Sequence, residues 1–181
     1  MSGLSEFRSF FKQFLGIVTA GVAATAVVLI ASIAKLAPPW PIQVVELTAI
    51  AQLVALAFVF QFLRSAGSAR IGRIMMRAAL LCGLSLIVYL GSHSVLVFNL
   101  PDGSTAARGL YCSQDALTVY SVDCPILSDS QLAKAEYSSS RLWTPVGLLL
   151  SRMMLFVSWI FFFLSLVVVL GAFVVYQRRV T

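Results

Sequence analysis

The amino-acid sequence predicts an all-α integral membrane protein, a four-transmembrane-helix bundle with a small disulfide-stapled extracytoplasmic cap between helices 3 and 4. Three observations lead there. First, 60% of the 181 residues are apolar and only 11% are charged, with a mean hydropathy of +0.94, and a water-soluble fold of this length could not cover that much greasy surface. Second, the apolar residues gather in four runs, Phe14 to Ala34, Val44 to Leu63, Ala78 to Phe98 and Leu155 to Tyr176. Each is near the roughly 20 residues that cross a ~30 Å hydrocarbon core. Third, the basic residues alternate in density between connections, as they do when Lys and Arg keep to the cytoplasmic side.

Taken in order, residues 1–13 read as an interfacial amphipathic helix, with Phe7, Phe10 and Phe11 at helical spacing and Arg8 and Lys12 turned elsewhere. Residues 14–99 hold transmembrane helices 1 to 3. The first apolar run is longer than the h-region of a secretory signal peptide, so a retained signal anchor is expected. Pro38, Pro39 and Pro41 around Trp40 cannot continue a helix and make the first connection a tight turn at the headgroup level. The second connection, Arg64 to Arg77, is expected to be a loop given turn character by Ser65, Gly67, Ser68 and Gly72, and partly helical near Ile71 to Met76.

Residues 100–144 form the cap loop, opening with the turn Pro101, Asp102, Gly103. A strand-like Leu117 to Tyr120 and a short helix begun by the capping box of Ser128 and Gln131 follow. Residues 145–181 are a long fourth helix with a basic cytoplasmic tail. Pro145 suits its first turn, and its helix-compatible stretch to Tyr176 would reach about 48 Å, more than a bilayer requires.

Arg8, Lys12, Arg64, Arg70, Arg73, Arg77, Arg178 and Arg179 fall on one side of the predicted bundle, which places both termini in the cytoplasm. Lys35, Arg108, Lys134 and Arg141 fall on the other, among five acidic residues. The net charge of +6 is therefore read as topology and as affinity for anionic lipid, not as nucleic-acid binding. The localisation expected is a bacterial inner membrane or a plasma membrane.

Cys112 and Cys124 lie in the segment placed outside the cytoplasm, where thiols are usually oxidised, so they are expected to form a structural disulfide. Cys82, inside the third helix, is expected to act as a small apolar residue. The fragment Gly109, Leu110, Tyr111, Cys112 with Cys124 resembles the Gly-Leu-Trp…Cys…Cys signature of claudins over about 16 residues. It lies between the last two helices instead of the first two, and Tyr111 replaces the Trp, so no claudin function is carried over.

Ionisable residues within apolar segments are costly unless paired or hydrated. Glu46, His93 and Arg152 qualify, with Lys35 at the boundary, and helix rise places all of them in the outer half as an outer polar cluster in which Glu46 and Arg152 are within reach of an ion pair. Gly16, Ala20, Gly21 and Ala24 form a small-residue stripe suited to close helix packing. The bulky Trp159, Phe161, Phe162 and Phe163 of the fourth helix suit lipid or a partner. There is no nucleophile–base pair, no metal-ligand cluster, no haem pair and no midplane carboxylate for coupled transport.

The expectation is thus a chain that is not an enzyme and takes no cofactor, acting through helix association in a homo-oligomer or a larger membrane complex. Its partners would be membrane lipids and other subunits or copies of itself, with no nucleic acid and no soluble small-molecule substrate. An oligomeric pore and a lipid-handling protein are the alternatives.

Overall fold

The computed structural model describes residues 18, 19, 21–63 and 65–180, the last three of these as backbone only. Its elements run α1 (Gly21–Ile33), α2 (Val44–Leu63), α3 (Ser68–Leu96), β1 (Val97–Asn99), β2 (Thr105–Ala107), α4 (Gln114–Tyr120), α5 (Asp129–Lys134), α6 (Ser139–Leu142) and α7 (Pro145–Val180). Helices α2, α3 and α7 are long and apolar enough to cross a membrane. The expected interfacial helix, with Gly16 and Ala20, lies outside the described residues.

Two compact units make up the chain. The first comprises the described parts of Met1–Ala34, Val45–Ser85 and Ile160–Thr181. In it α2 turns a stripe at four-residue spacing inward, Thr48, Gln52 and Leu56, each at most 2% exposed. Helix α1 meets this stripe through Gly21, whose absent Cβ would stand 3.6 Å from both Leu53 and Leu56. Ala24, Leu56 and Val167 pack together there, while Leu63, Ile71, Ala172 and Val175 close the other end of the unit. The tightest approach is at Gly171, where a Cβ would lie 2.7 Å from Val59 Cγ1. Close backbone approach of this kind is what small residues permit in apolar helix pairs.

Helix α3 begins ten residues before the expected Ala78, so Arg70, Arg73 and Arg77 are helical and the connection shrinks to a turn around Gly67. The amides of Arg70 and Ile71 bond the Gly67 carbonyl at 3.0 Å and close the first turn. Arginine is a good helix former, and charge ends a membrane span without ending a helix. Trp159 and Phe163 of α7 are buried, against the expectation of a surface bulky all round; Phe161, at 51% exposure, does face outward.

The second unit comprises Lys35–Val44 and Leu86–Trp159. β1 continues directly from α3 and pairs antiparallel with β2 in the register Val97 with Ala107, Phe98 with Ala106 and Asn99 with Thr105. The hairpin turn is the expected Pro101, Asp102, Gly103, and Gly103 takes φ +80°, a conformation natural to glycine. Asp102 Oδ1 accepts from the Ser104 hydroxyl at 2.7 Å and amide at 2.9 Å, and these bonds hold its carboxyl below the usual range.

Where a strand was expected over Leu117 to Tyr120 there is the helix α4. Ser113 caps it, its Oγ accepting from the Ala116 amide at 3.2 Å, and four residues of alternation are too few to outweigh a cap. The capping box of Ser128 and Gln131 starts α5 as expected. Pro145 opens α7, with Thr144 Oγ1 accepting from the Gly147 amide at 3.1 Å as its cap.

Substituting Gly171→Leu forces bulk into the Val59 contact. It is expected to lower stability by about 1–3 kcal/mol, the usual cost of overpacking. Thermal unfolding in detergent checks this, and an unchanged midpoint would mean that α7 does not approach α2 at Gly171.

Candidate functional site

All three tryptophans and four of the five tyrosines belong to the second unit, and its floor is built around Tyr89 of α3. That side chain is 2% exposed, and its hydroxyl donates to the carbonyl of Leu36 in the turn after α1. Its ring lies 5.2 Å from Trp159 and 5.7 Å from His93, centroid to centroid. A tyrosine inside an apolar helix buries its ring and needs one acceptor for its hydroxyl; a carbonyl freed by the proline-rich turn supplies it. Trp40 from the same turn meets Phe156 edge-on at 6.2 Å.

Lys35 reaches the cap, its ammonium donating to the Gly103 carbonyl at 3.0 Å. His93, one helical turn above Tyr89, is half-buried, and its Nε2 has no hydrogen-bond partner. Arg152 is half-buried on α7. Glu46 belongs to the other unit and is exposed in the first turn of α2. There the positive end of the helix dipole favours a carboxylate, so its position does not by itself require a basic partner.

Above this floor the cap is organised on Trp143, which has no exposed surface. Its indole Nε1 donates to the Pro125 carbonyl at 3.1 Å, and its ring lies 5.9 Å from that of Phe98. Gly109 lies so close that a Cβ there would come within 2.5 Å of the Trp143 Cβ and 2.8 Å of its Cγ. Cys112 pairs with Trp143 in an isolated antiparallel bridge, and its sulfur is 1.95 Å from that of Cys124, a disulfide distance. Gly147 packs equally closely on the Tyr111 backbone, where a Cβ would stand 2.7 Å from the amide nitrogen. Leu127, Leu132, Leu142 and Leu148 complete this core. Cys82 is a free thiol.

Beside the core a recess of about 450 Å³ is lined by Arg108, Asp123, Ser128, Asp129 and Gln131 among others. Arg108 lies 5.9 Å over the Phe98 ring, and its Nε is buried without a hydrogen-bond partner. Gln131 Nε2 donates to Asp123 Oδ2 at 2.6 Å. With one cation and two carboxylates in its lining the recess carries a net negative charge, and one of those carboxylates, Asp123, is already engaged by Gln131.

In the first unit the polar feature is Gln52. It is 2% exposed, and neither its Oε1 nor its Nε2 has a hydrogen-bond partner. The roles of Tyr89, Trp143 and Arg108 are not foreseen by the sequence patterns. A lone Tyr within Gly83 to Leu96 was the available signal for the first. Among the described residues, no group of three or more His, Cys, Asp or Glu could hold a metal ion. No family model, no curated protein and no solved structure matches this chain.

Gly109→Ala is expected to unseat Trp143 and loosen the cap. The substituted cap should be cut faster by added protease, and its disulfide reduced faster under mild thiol, than in the native chain. Equal rates would show that Gly109 and Trp143 are not in contact.

Proposed function

We propose that this chain is a non-catalytic membrane subunit of four spans, with α1 as part of the first, that acts by helix association in a homo-oligomer or a larger membrane complex. Its cap faces away from the cytoplasm and both termini face into it. The observation that carries this reading is the bareness of α3. Only 17% of its most apolar stretch is buried within the chain. Leu80, Leu84 and Ile87 are each at least 65% exposed and share one face with Gly83, around whose Cβ position nothing lies within 4 Å.

Water would not tolerate such a face, while lipid covers it without specificity. The exposed glycine distinguishes this face from a purely lipid-facing one. Glycine lets another helix backbone come close, and bulk leucine around it supplies the packing that drives association in hydrocarbon. Partners of this kind are further copies of the chain or other membrane subunits.

Two measurements test the reading. In detergent, light scattering should give a particle of two or more chains, or this chain with unrelated ones. Gly83→Ile should reduce it to single chains without lowering thermal stability. A native particle of one chain alone would sink the proposal, and a closed ring of identical chains that conducts ions would favour the pore. For orientation, single cysteines replacing Ser68 and Ala133 in a Cys82→Ser background should be respectively protected from and open to an impermeant thiol reagent in intact cells. The reverse pattern would invert the topology.

A further inference from the structure

We infer that the face of α3 bearing Arg70, Arg73 and Arg77 leads into a binding site for one anionic phospholipid, phosphate at Arg77 and acyl chain in the groove that α3 forms with α7. The proposal rests on the membrane reading above. The groove has a volume of about 350 Å³, and apart from Arg77 and Ser165 its lining is apolar, including Ile74, Leu81, Phe161 and Leu164. Leu81 and Phe161 are about half exposed at its lip, so an elongated apolar ligand could enter from the side. Arg77 marks where apolar lining meets charge.

The three arginines recur at i, i+3 and i+7, within about 60° of one another around the helix axis, and all are exposed. No carboxylate among the described residues is paired with them. The sequence explains why. Of seven acidic residues, five lie between Asp102 and Glu136, Glu6 is outside the described residues, and Glu46 begins α2 at the end remote in sequence from the turn before α3. The first three turns of α3 therefore carry three positive charges and no negative one.

A diffuse basic band would satisfy topology alone. Here the band ends on a groove of fitting chemistry. An arginine forks two N–H donors to a phosphate, and a chain joined to that phosphate passes into apolar lining within one turn of helix. A zwitterionic lipid fills the groove equally well but brings its own cation to a site already positive. A free phosphate has no chain to lodge there. Both charge and tail are needed.

Native mass spectrometry of the full chain, released from detergent after titration with dioleoylphosphatidylglycerol, dioleoylphosphatidylcholine or inorganic phosphate, tests this. The glycerol lipid should be retained about fivefold more than the choline lipid, in keeping with one arginine's attraction for an anionic headgroup. Inorganic phosphate should not be retained. Arg77→Gln should bring the two lipids to equal retention, and Leu81→Trp, which narrows the groove, should reduce both. Arg141→Gln, in the cap, should leave the preference unchanged. Equal retention of both lipids by the native chain, or a preference that survives Arg77→Gln, would overturn the site while the chain stayed in carbonate-washed membranes. Loss of the chain from those membranes would overturn the membrane reading itself.

Discussion

The second unit depends on the burial of one side chain, Trp143. Its ring touches the hairpin through Phe98, its indole nitrogen is satisfied by Pro125, its backbone bridges to Cys112, and its Cβ fills the space that Gly109 leaves open. These partners are spread along the chain from Phe98 to Pro125, while Trp143 itself stands two residues before α7. A cap of some 45 residues has too little interior to hold itself together by apolar area alone. One large aromatic serves as the common neighbour of Phe98, Gly109, Cys112 and Pro125, and a crosslink between Cys112 and Cys124, whose sulfurs are at disulfide distance, would limit the freedom of the unfolded loop by an amount on the order of 3 kcal/mol in the chain-entropy model. Burial of the indole carries the condition that its N–H be satisfied, which the Pro125 carbonyl meets.

The first unit obeys a different constraint. Its helices have no loop to organise and pack through small residues, Gly21 against Leu53 and Leu56, Gly171 against Val59. Among these apolar contacts sits the amide of Gln52 without a protein partner. A buried amide left in this state costs about 1–3 kcal/mol by mutational measure, which sets it apart from the small hydroxyls of α3 and α7. Ser85 and Ser165 bond carbonyls of their own helices, a solution their short side chains allow and that of Gln52 does not.

Legibility followed the length of the signal. The α2 run, Val44 to Leu63, reads from the sequence with the bounds the structure has, because a proline turn and a basic, glycine-containing connection bracket it. The capping box at Ser128 and the start at Pro145 were legible because each is a local rule about a few neighbouring atoms. The start of α3 was misread because polarity was taken to mean loop, when hydropathy reports where a membrane could end and says little about where a helix does. Leu117 to Tyr120 was misread because four residues cannot separate a period of 2 from one of 3.6. The partners of Tyr89, Trp143 and Lys35 were not legible at all, since they join residues 53, 18 and 68 positions apart through the turns that bring them together.

The surroundings of Glu46 are set by its place in the helix as well as by its depth. Counting rise per residue placed it in an apolar segment, from which a compensating cation followed. A helix N-terminus supplies part of that compensation through its unpaired amides, and an exposed carboxylate in a first turn is an ordinary occurrence. The converse holds at the start of α3, where Arg70 stands in the first turn, so the dipole there adds to its charge instead of offsetting it, and Arg73 and Arg77 follow in the next two turns with no carboxylate beside them in the helix. Of the two helix starts, only that of α3 is left with uncompensated charge, and uncompensated charge beside an apolar groove is what attracts a ligand with both properties.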